Sequence, residues 1–274
     1  MAHFAYHLMG GQLSPLLPSI RKEFGLDYTQ TGFMLAALNL TMGLANLPAG
    51  WLADRVGRRL LITITISGVG LVGLLIGFAQ SYWMMVALLV MFGAVGGGYH
   101  VSASPLIAAS TEPKKQGSAL GLHMIGGTGS LLIAPLAAVS IAAVWGWRGP
   151  YVALSIPIII FGLVFYVLLG RRLGATKKNE TVIAGVGETE RLTNSDGEPI
   201  TTPTRWRVLV PFVVLSVLSG ALLWTPVAFL PLFLVDKFGA SQIAVGVFVS
   251  IVSLGGFLSG PFGGYLSDRF GQVK

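Results

Sequence analysis

Eight apolar runs, each of 18 to 29 residues, account for most of the chain. The hydrocarbon core of a bilayer is about 30 Å thick, and a helix needs about 20 mostly apolar residues to cross it. Polar and apolar residues do not alternate along these runs, so the runs do not resemble the strands of a transmembrane β-barrel. The sequence therefore predicts eight transmembrane helices, spans 1 to 8, over residues 3–20, 29–52, 60–80, 82–109, 118–144, 150–170, 207–235 and 242–265.

The composition excludes several other classes of protein. Charged residues make up only 11% of the chain, whereas soluble domains carry roughly 25%. So few charges cannot cover the surface of a water-soluble globule of 274 residues, which excludes a soluble enzyme, a nucleic-acid-binding domain and a disordered protein. The chain has no cysteine, which excludes a disulfide scaffold, a cysteine-based zinc site and thiol catalysis.

The positions of the charged residues predict the orientation in the membrane. Fourteen of the 18 lysines and arginines fall in loops on the same side as the N-terminus, and the other four fall on the opposite side. Cytoplasmic loops are the ones enriched in basic residues, so we expect a multi-pass protein of the cell membrane with a cytoplasmic N-terminus. All 11 acidic residues lie in loops or at span ends, so no carboxylate is expected at mid-membrane.

The chain contains an internal repeat. The segment from Phe24 to Gly57 recurs from Phe238 to Gly271 at a constant offset of 214 residues, so that spans 1 and 2 correspond to spans 7 and 8 in the same orientation. Parallel repeats of this kind are one plan of transporter construction. The repeat predicts a six-helix half at 1–170, a cytoplasmic linker at 171–207 and the first two helices of a second half at 208–274. A complete second half would end near residue 384 (170 plus 214), so we expect a C-terminally truncated chain with eight of twelve helices.

A short loop after span 2 carries the most specific motif. The stretch from Gly50 to Arg59 resembles the signature loop of the major facilitator superfamily at every defining position, and the stretch from Gly264 to Gly271 is its copy in the second repeat. The resemblance implies a twelve-helix transporter in which these loops form a cytoplasmic latch that holds the outward-open state. The alternative is that the arginines only anchor the topology. The latch residues predicted in this way are Gly50, Asp54, Arg55, Gly57, Arg58, Arg59, Gly264, Asp268, Arg269 and Gly271.

Span 5 carries a weaker resemblance to the antiporter members of the family. Gly121, Ser130, Ala134 and Pro135 fall at steps of their glycine- and proline-rich motif, although only Gly121 and Pro135 match it fully. The arginine that many members carry on the fourth helix would fall at Leu89, and its absence departs from their usual proton-coupling arrangement. Stretches at 98–105 and 117–127 look like the fosmidomycin-resistance type of efflux permease within the family.

Polar side chains inside the spans are the candidates for a transport pathway. In the family, the first, fourth and seventh helices line the central cavity, and the polar residues there and nearby are His7, Gln12, Asn39, Tyr99, His100, His123 and Trp224. Histidine titrates near pH 6.5, so one of the histidines is a candidate for carrying a coupling proton. The alternative is a neutral histidine that hydrogen-bonds between helices. His3 is expected at the membrane surface.

Taken together, the sequence predicts an all-α polytopic membrane protein that moves a small organic solute by alternating access, as a proton-coupled efflux transporter. The alternatives are an uptake symporter or uniporter, or a membrane sensor or degenerate paralogue that does not transport. The expected partners are the solute, H+ and the lipid bilayer, without nucleic acid, and a monomer is assumed. No cofactor and no metal are predicted, and no enzyme, because no nucleophile–base pair and no closely spaced His or Asp ligands occur in the sequence.

Overall fold

The computed structural model describes residues 1–112, 115–175 and 206–270, and the regular structure in these ranges is entirely helical. This confirms the all-α polytopic class. The helices are α1 (Ala2–Gly10), α2 (Leu13–Phe24), α3 (Tyr28–Val56), α4 (Arg58–Ile76), α5 (Tyr82–Gly96), α6 (Gly98–Ala109), α7 (Gln116–Trp145), α8 (Arg148–Ala175), α9 (Trp206–Phe238) and α10 (Gln242–Phe270).

The helices correspond to the predicted spans with two differences, which are at span 1 and at span 4; span 4 is the pair α5 and α6, separated at Gly97. Among the described residues, six helical segments are long and apolar enough to cross a membrane, one of which is Tyr82–Ala109, that is, α5 and α6 together. A shorter apolar stretch lies at Gln242–Gly255 within α10. Span 1 is not one helix but the pair α1 and α2, which break at Gly11. The break lies where α7 approaches closely, because Ala134 Cβ is 2.9 Å from the position of a Cβ on Gly11. Residues 176–205 of the predicted linker lie outside the described residues.

The internal repeat recurs in the geometry of the helix ends. Gly25 and Gly239, which correspond at the offset of 214, both have left-handed backbone angles, with φ of 63° and 62°. This conformation costs glycine little and strains other residues. The next helix begins in each repeat with a side-chain cap, in which Asp27 or Ser241 accepts a hydrogen bond from the backbone amide three residues later. The same helix–turn–helix unit is therefore built twice.

The two copies of this unit meet at corresponding positions. Ser14 Oγ donates a hydrogen bond of 3.0 Å to the carbonyl oxygen of Ala228, and these two residues are 214 positions apart. Corresponding points of a two-fold arrangement can contact each other only near the axis that relates them. The contact between α2 and α9 at Ser14 therefore marks the position of the pseudo-two-fold axis.

Small residues bring helices α3 and α5 into backbone contact. A Cβ on Gly93 would lie 2.5 Å from the carbonyl oxygen of Leu38, and one on Gly97 would lie 2.7 Å from Ala45 Cβ. Because lipid tails are as apolar as a leucine side chain, helices in a membrane associate largely by close packing of this kind. The glycines at 93 and 97 therefore fix span 4 against span 2.

We expect Gly93→Ala to destabilise the bundle by about 1–3 kcal/mol, because the added methyl group forces two backbones apart. Gly43→Ala on α3 is the matched control, since no described atom lies within 4 Å of its Cβ position. Alanine favours a helix over glycine, so the control is expected to be neutral or slightly stabilising. The apparent Tm of the two detergent-solubilised variants checks this, and equal changes in both would contradict the packing role of Gly93.

Candidate functional site

A cavity of about 740 Å³ lies between helices α1, α2, α3, α6 and α7 on one side and α9 and α10 on the other. Its volume is within the range of sites for drug-sized ligands, which is about 300–1,000 Å³. Its wall is mostly apolar, and includes Leu35, Leu131 and Phe229. Among the lining residues, those with a polar atom in the side chain are Tyr6, His7, Ser14, Asn39, His100, Trp224, Thr225 and Ser253.

Four of the seven predicted pathway residues line this cavity. His7, Asn39, His100 and Trp224 belong to its wall, and the Trp224 side chain is 63% exposed. The Asn39 amide donates a hydrogen bond of 2.8 Å to the Leu35 carbonyl one turn earlier, which satisfies one of its two donors within the helix. These four residues come from helices α1, α3, α6 and α9.

The other three predicted residues lie outside the cavity wall. Gln12 is fully buried, and its Nε2 donates to the sulfur of Met9 at 3.2 Å. Tyr99 is also fully buried, with its ring stacked on Tyr6 at 4.7 Å between centroids. His123 stacks on His3 behind the wall, with ring centroids 4.1 Å apart. Their geometry is that of packing between helices.

Four imidazole rings form a compact group at one side of the cavity. In this imidazole cluster, which consists of His3, His7, His100 and His123, the ring of His3 lies 4.7 Å from His7 and 5.2 Å from His100. The rings of His7 and His100 are 5.3 Å apart. The cluster joins α1 to α6 and α7, and two of its members, His7 and His100, also line the cavity.

The expectation that His3 lies at the membrane surface is wrong for its side chain, which is 3% exposed inside the bundle. Its ring lies directly against α7, where a Cβ on Gly127 would be 2.4 Å from His3 Cε1. Its Nδ1 is also 2.7 Å from the carbonyl oxygen of His123. The absence of a side chain at Gly127 leaves the space for this ring, and the Gly126-Gly127 pair is the signal in the sequence that corresponds to it.

The loop that carries the predicted latch motif turns at Gly57, whose φ of +86° is a conformation that suits glycine. Asp54 and Arg58 form an ion pair of 3.2 Å across this turn, and the Arg55 guanidinium lies 3.9 Å from the centre of the Trp51 ring. No described atom lies within 4 Å of a Cβ position on Gly50, so no close helix contact at Gly50 is among the described contacts.

Arg59 and the second latch copy complete the predicted motif. Arg59 Nη2 donates a hydrogen bond of 2.6 Å to the carbonyl of Tyr166, which ties α4 to α8. In the second copy, Gly264, Asp268 and Arg269 belong to the backbone of α10, their side chains are not among those described, and Gly271 lies outside the described residues.

The small residues of the span 5 motif lie where α7 contacts its neighbours. Ala134 packs on Gly11, and the carbonyl oxygen of Pro135 is 3.2 Å from a Cβ position on Gly246 of α10. Ser130 is fully buried, whereas no described atom lies within 4 Å of a Cβ position on Gly121. Three of the four predicted motif residues are thus buried in α7, and two of them contact α10 or the α1–α2 break.

A charged cluster at the opposite end of the bundle was not predicted. In this Asp236 cluster, Arg21 Nη1 and the Tyr28 hydroxyl both donate to Asp236 Oδ2, and the Arg21 guanidinium lies 4.2 Å from the centre of the Tyr28 ring. The cluster closes the end of the bundle that contains the α2–α3 and α9–α10 turns. The signal in the sequence is a basic residue and an acidic residue 215 positions apart, nearly at the repeat offset.

A second polar cluster at the same end joins α2 to α8. Glu23 accepts hydrogen bonds from Arg148 at 2.8 Å and from the Trp147 indole at 2.6 Å. Burial alone would raise the pKa of the Glu23 carboxyl, but the hydrogen bonds from Arg148 and Trp147 outweigh it, so the pKa lies below its ordinary value. The charged form of Glu23 therefore stabilises the fold.

Comparisons with known proteins place this geometry in context. The sequence model of one protein family, the Major Facilitator Superfamily, matches residues 1–274 of this chain. The multidrug resistance protein MdtG of Proteus mirabilis (strain HI4320) is 28% identical over 273 residues, which cover 96% of this chain and 64% of that protein. MdtG of Salmonella choleraesuis (strain SC-B67) is 29% identical, with 95% of this chain and 63% of that protein covered. The chain thus spans just under two thirds of the length of these curated relatives.

Solved structures show the same fold at lower identity. Crystal structures of a bacterial homolog to the human lysosomal transporter Spinster, in inward-facing occupied and unoccupied conformations, match with TM-scores of 0.70 and 0.71. The occupied structure is 18% identical and covers 99% of this chain, and the unoccupied structure is 17% identical and covers 98% of it. In both cases 61% of the crystallised chain is covered.

We expect Asp236→Asn to loosen the end of the bundle that the Asp236 cluster closes (the Asp236 end), because the substitution weakens the contacts to Arg21 and Tyr28. Exposed ion pairs contribute about 0.2–1 kcal/mol to stability. The loss of this pair would therefore raise the fraction of molecules in which the Asp236 cluster is open by about 1.4- to 5-fold. Leu232, one turn before Asp236, is 1% exposed, so a Leu232→Cys variant reports opening by its rate of maleimide labelling. The chain has no other cysteine to label. Lys237→Ala is the control, and equal labelling in both variants would contradict the prediction.

We expect Glu23→Gln to lower stability at neutral pH and to have less effect in acid. Because the folded-state pKa of Glu23 is lowered, its contribution is present above the ordinary value of 4.5 and is lost as the pH falls through the lowered pKa. The carboxylate is partly exposed, so we expect the effect to stay below about 1 kcal/mol. Thermal melts of wild type and variant at several pH values check this, and Glu112→Gln, whose ion pair with Lys115 is exposed, is the control.

Proposed function

Because the chain belongs to the Major Facilitator Superfamily, we propose that the protein is a secondary transporter that exports a small organic solute by alternating access. The family consists of transporters and not enzymes, and the spans make the chain a multi-pass membrane protein. The observation that carries the proposal is the cavity of about 740 Å³, which lies between the two copies of the repeat and combines an apolar wall with a few polar groups.

The two repeats would form the two bodies that rock against each other. In this proposal, residues 1–170 form one six-helix half, 171–207 a cytoplasmic linker, and 208–274 the first two helices of the other half. Support for this division comes from the contact between Ser14 and Ala228 at the repeat offset and from the matching caps of α3 and α10. The wall of the cavity draws residues from both parts.

The orientation follows from the basic residues, with the N-terminus in the cytoplasm. The Asp236 end of the bundle would then face the outside and the Gly57 end the cytoplasm. In that frame the Asp236 cluster closes the outer end, which is the arrangement of an inward-facing carrier. The loop from Gly50 to Arg59 would serve as the cytoplasmic latch, with its Asp54–Arg58 pair available to new partners when the halves rock.

The direction of transport is proposed from the relatives. Their printed name, multidrug resistance protein, is that of exporters, and the small residues on α7 agree with the antiporter pattern. The finer resemblance to the fosmidomycin-resistance type stays a prediction. Export against a gradient needs an energy source, and for this chain we propose the proton gradient.

The wall of the cavity favours a particular class of solute. Trp224, Tyr6 and Phe229 offer aromatic surfaces, and no described carboxylate lies in the wall to attract a cation. His7 and His100 offer hydrogen bonds that a neutral or anionic group can use. We therefore propose neutral or anionic solutes with an aromatic or other apolar body.

We expect Trp224→Ala to raise the KM for export about 2- to 10-fold, because the loss of one aromatic contact weakens solute binding by about 0.5–1.5 kcal/mol. The test follows export of neutral and anionic aromatic fluorophores from proteoliposomes. Trp206→Ala is the control, since Trp206 begins the same helix, is 67% exposed and does not line the cavity.

The same assay tests direction and coupling. Dissipating the proton gradient with a protonophore is expected to stop accumulation against the gradient. Transport that continues unchanged, or net uptake driven by the gradient, would replace the proposal with a uniporter or an uptake symporter.

A further inference from the structure

Three histidines of the imidazole cluster bring their ring nitrogens together. One nitrogen from each of His3, His7 and His100 lies within 4.8 Å of the other two. His3 and His7 are four residues apart on α1 and therefore share one face of the helix, which corrects the expectation that the sequence holds no closely spaced ligands. His100 comes from α6. We propose that these three side chains bind a late first-row divalent metal ion, and that the bound ion keeps one coordination position open to the cavity.

His3 is held in the form that a ligand needs. Its Nδ1 is 2.7 Å from the carbonyl oxygen of His123, and since a carbonyl only accepts, Nδ1 must carry the hydrogen. In the neutral ring Nε2 then has a free lone pair. This nitrogen is buried, and no described residue hydrogen-bonds to it. Metal-binding histidines usually donate their second ring nitrogen to a carbonyl or carboxylate in this manner.

The burial of the cluster argues against a purely structural role for this nitrogen. A polar atom buried without a partner costs about 1–3 kcal/mol, and this cost is recovered when a ligand binds. His7 is half-buried and His100 is exposed toward the cavity, so an ion can reach the three nitrogens from the cavity side. His3 forms the closed side of the site, and the other two form its mouth.

The donor set selects the class of metal. Imidazole nitrogens suit Zn²⁺, Co²⁺, Ni²⁺ and Cu²⁺, whereas Mg²⁺ and Ca²⁺ require oxygen ligands that the cluster does not offer. Zinc–nitrogen bonds of about 2.0–2.1 Å place the nitrogens of a tetrahedral site about 3.3 Å apart. The nitrogens now lie within 4.8 Å of one another. The exposed His100 ring makes no hydrogen bond among the described residues, so its rotation would bring its nitrogen toward the distance of about 3.3 Å from the other two.

The charge balance predicts what fills the fourth position. Three neutral imidazoles leave a bound ion with its charge of +2, and all acidic residues of the chain lie in loops or at span ends. An uncompensated charge inside the membrane is costly, so an anionic oxygen donor from the cavity would stabilise the complex. This part of the inference rests on the proposed function, and it assigns metal-chelating anions, such as carboxylates, as solutes of the cavity.

The binding test uses Co²⁺ alone with the protein in lipid nanodiscs, because the visible absorption of Co²⁺ distinguishes four-coordinate from six-coordinate sites. We expect one equivalent of four-coordinate Co²⁺, displaced by Zn²⁺. His100→Gln is expected to weaken binding at least 10-fold, since it removes one ligand from an exposed position. His123→Gln is the control, because it removes an imidazole of the same cluster but keeps the backbone carbonyl that holds His3.

The inference is overturned if Co²⁺ does not bind, if it stays six-coordinate, or if His123→Gln weakens binding as much as His100→Gln. His7→Gln is the second variant, with an expected effect equal to that of His100→Gln. Adding oxalate to the Co²⁺-loaded protein tests the open position, and an unchanged spectrum would exclude an anionic donor there. These measurements involve no transport, so a negative result leaves the proposed export function standing, and a failed export assay leaves the metal site standing.

Discussion

The scarcity of water inside a bilayer governs the whole arrangement. A polar group in hydrocarbon has no solvent to bind, so it must find a partner within the bundle. The chain meets this constraint with few charges, since its acidic residues lie at the ends of the spans. Polarity inside the bundle is then carried by rings and amides, and these converge on one another. The Tyr6 hydroxyl on the Gly96 carbonyl and the Asn39 amide on the Leu35 carbonyl meet this need for a partner, whereas Nε2 of His3 has no partner among the described residues.

Close packing solves the second part of the problem. Helices that share a lipid environment gain little from the hydrophobic effect, so contact area must come from backbones that lie side by side. Gly93 and Gly97 provide this close contact between α3 and α5. Gly127 on α7 provides the space for the ring of His3, which is on α1. In the last case, packing and chemistry coincide, because the missing side chain that lets α1 approach α7 also admits an imidazole into the interior.

The features that depend on one helix at a time could be predicted from the sequence. Span positions and the repeat follow from hydropathy and a constant offset, whereas the loop at Gly57 and the placement of His7 and His100 on cavity-lining helices follow from the resemblance to the family. The features that depend on a neighbouring helix could not. The break at Gly11 lies against Ala134, the ring of His3 lies against Gly127, and Asp236 pairs with Arg21; each partner is more than 120 residues away in the chain. No local pattern encodes the identity of the helix that will pack at a given position.

The contact between Ser14 and Ala228 has a mechanical meaning. In the proposed mechanism the two halves rock about an axis in the plane of the membrane, and when that axis passes near Ser14, each point of the helix moves in proportion to its distance from the serine. Arg21 is seven residues beyond Ser14 on the same helix, or about 10 Å at 1.5 Å per residue. A relative rotation of about 15°, of the size seen in subunit rearrangements, displaces that end by about 3 Å. In the proposed mechanism, the contact between Ser14 and Ala228 would persist through the movement, whereas the contacts of Arg21 and Tyr28 with Asp236 would have to break.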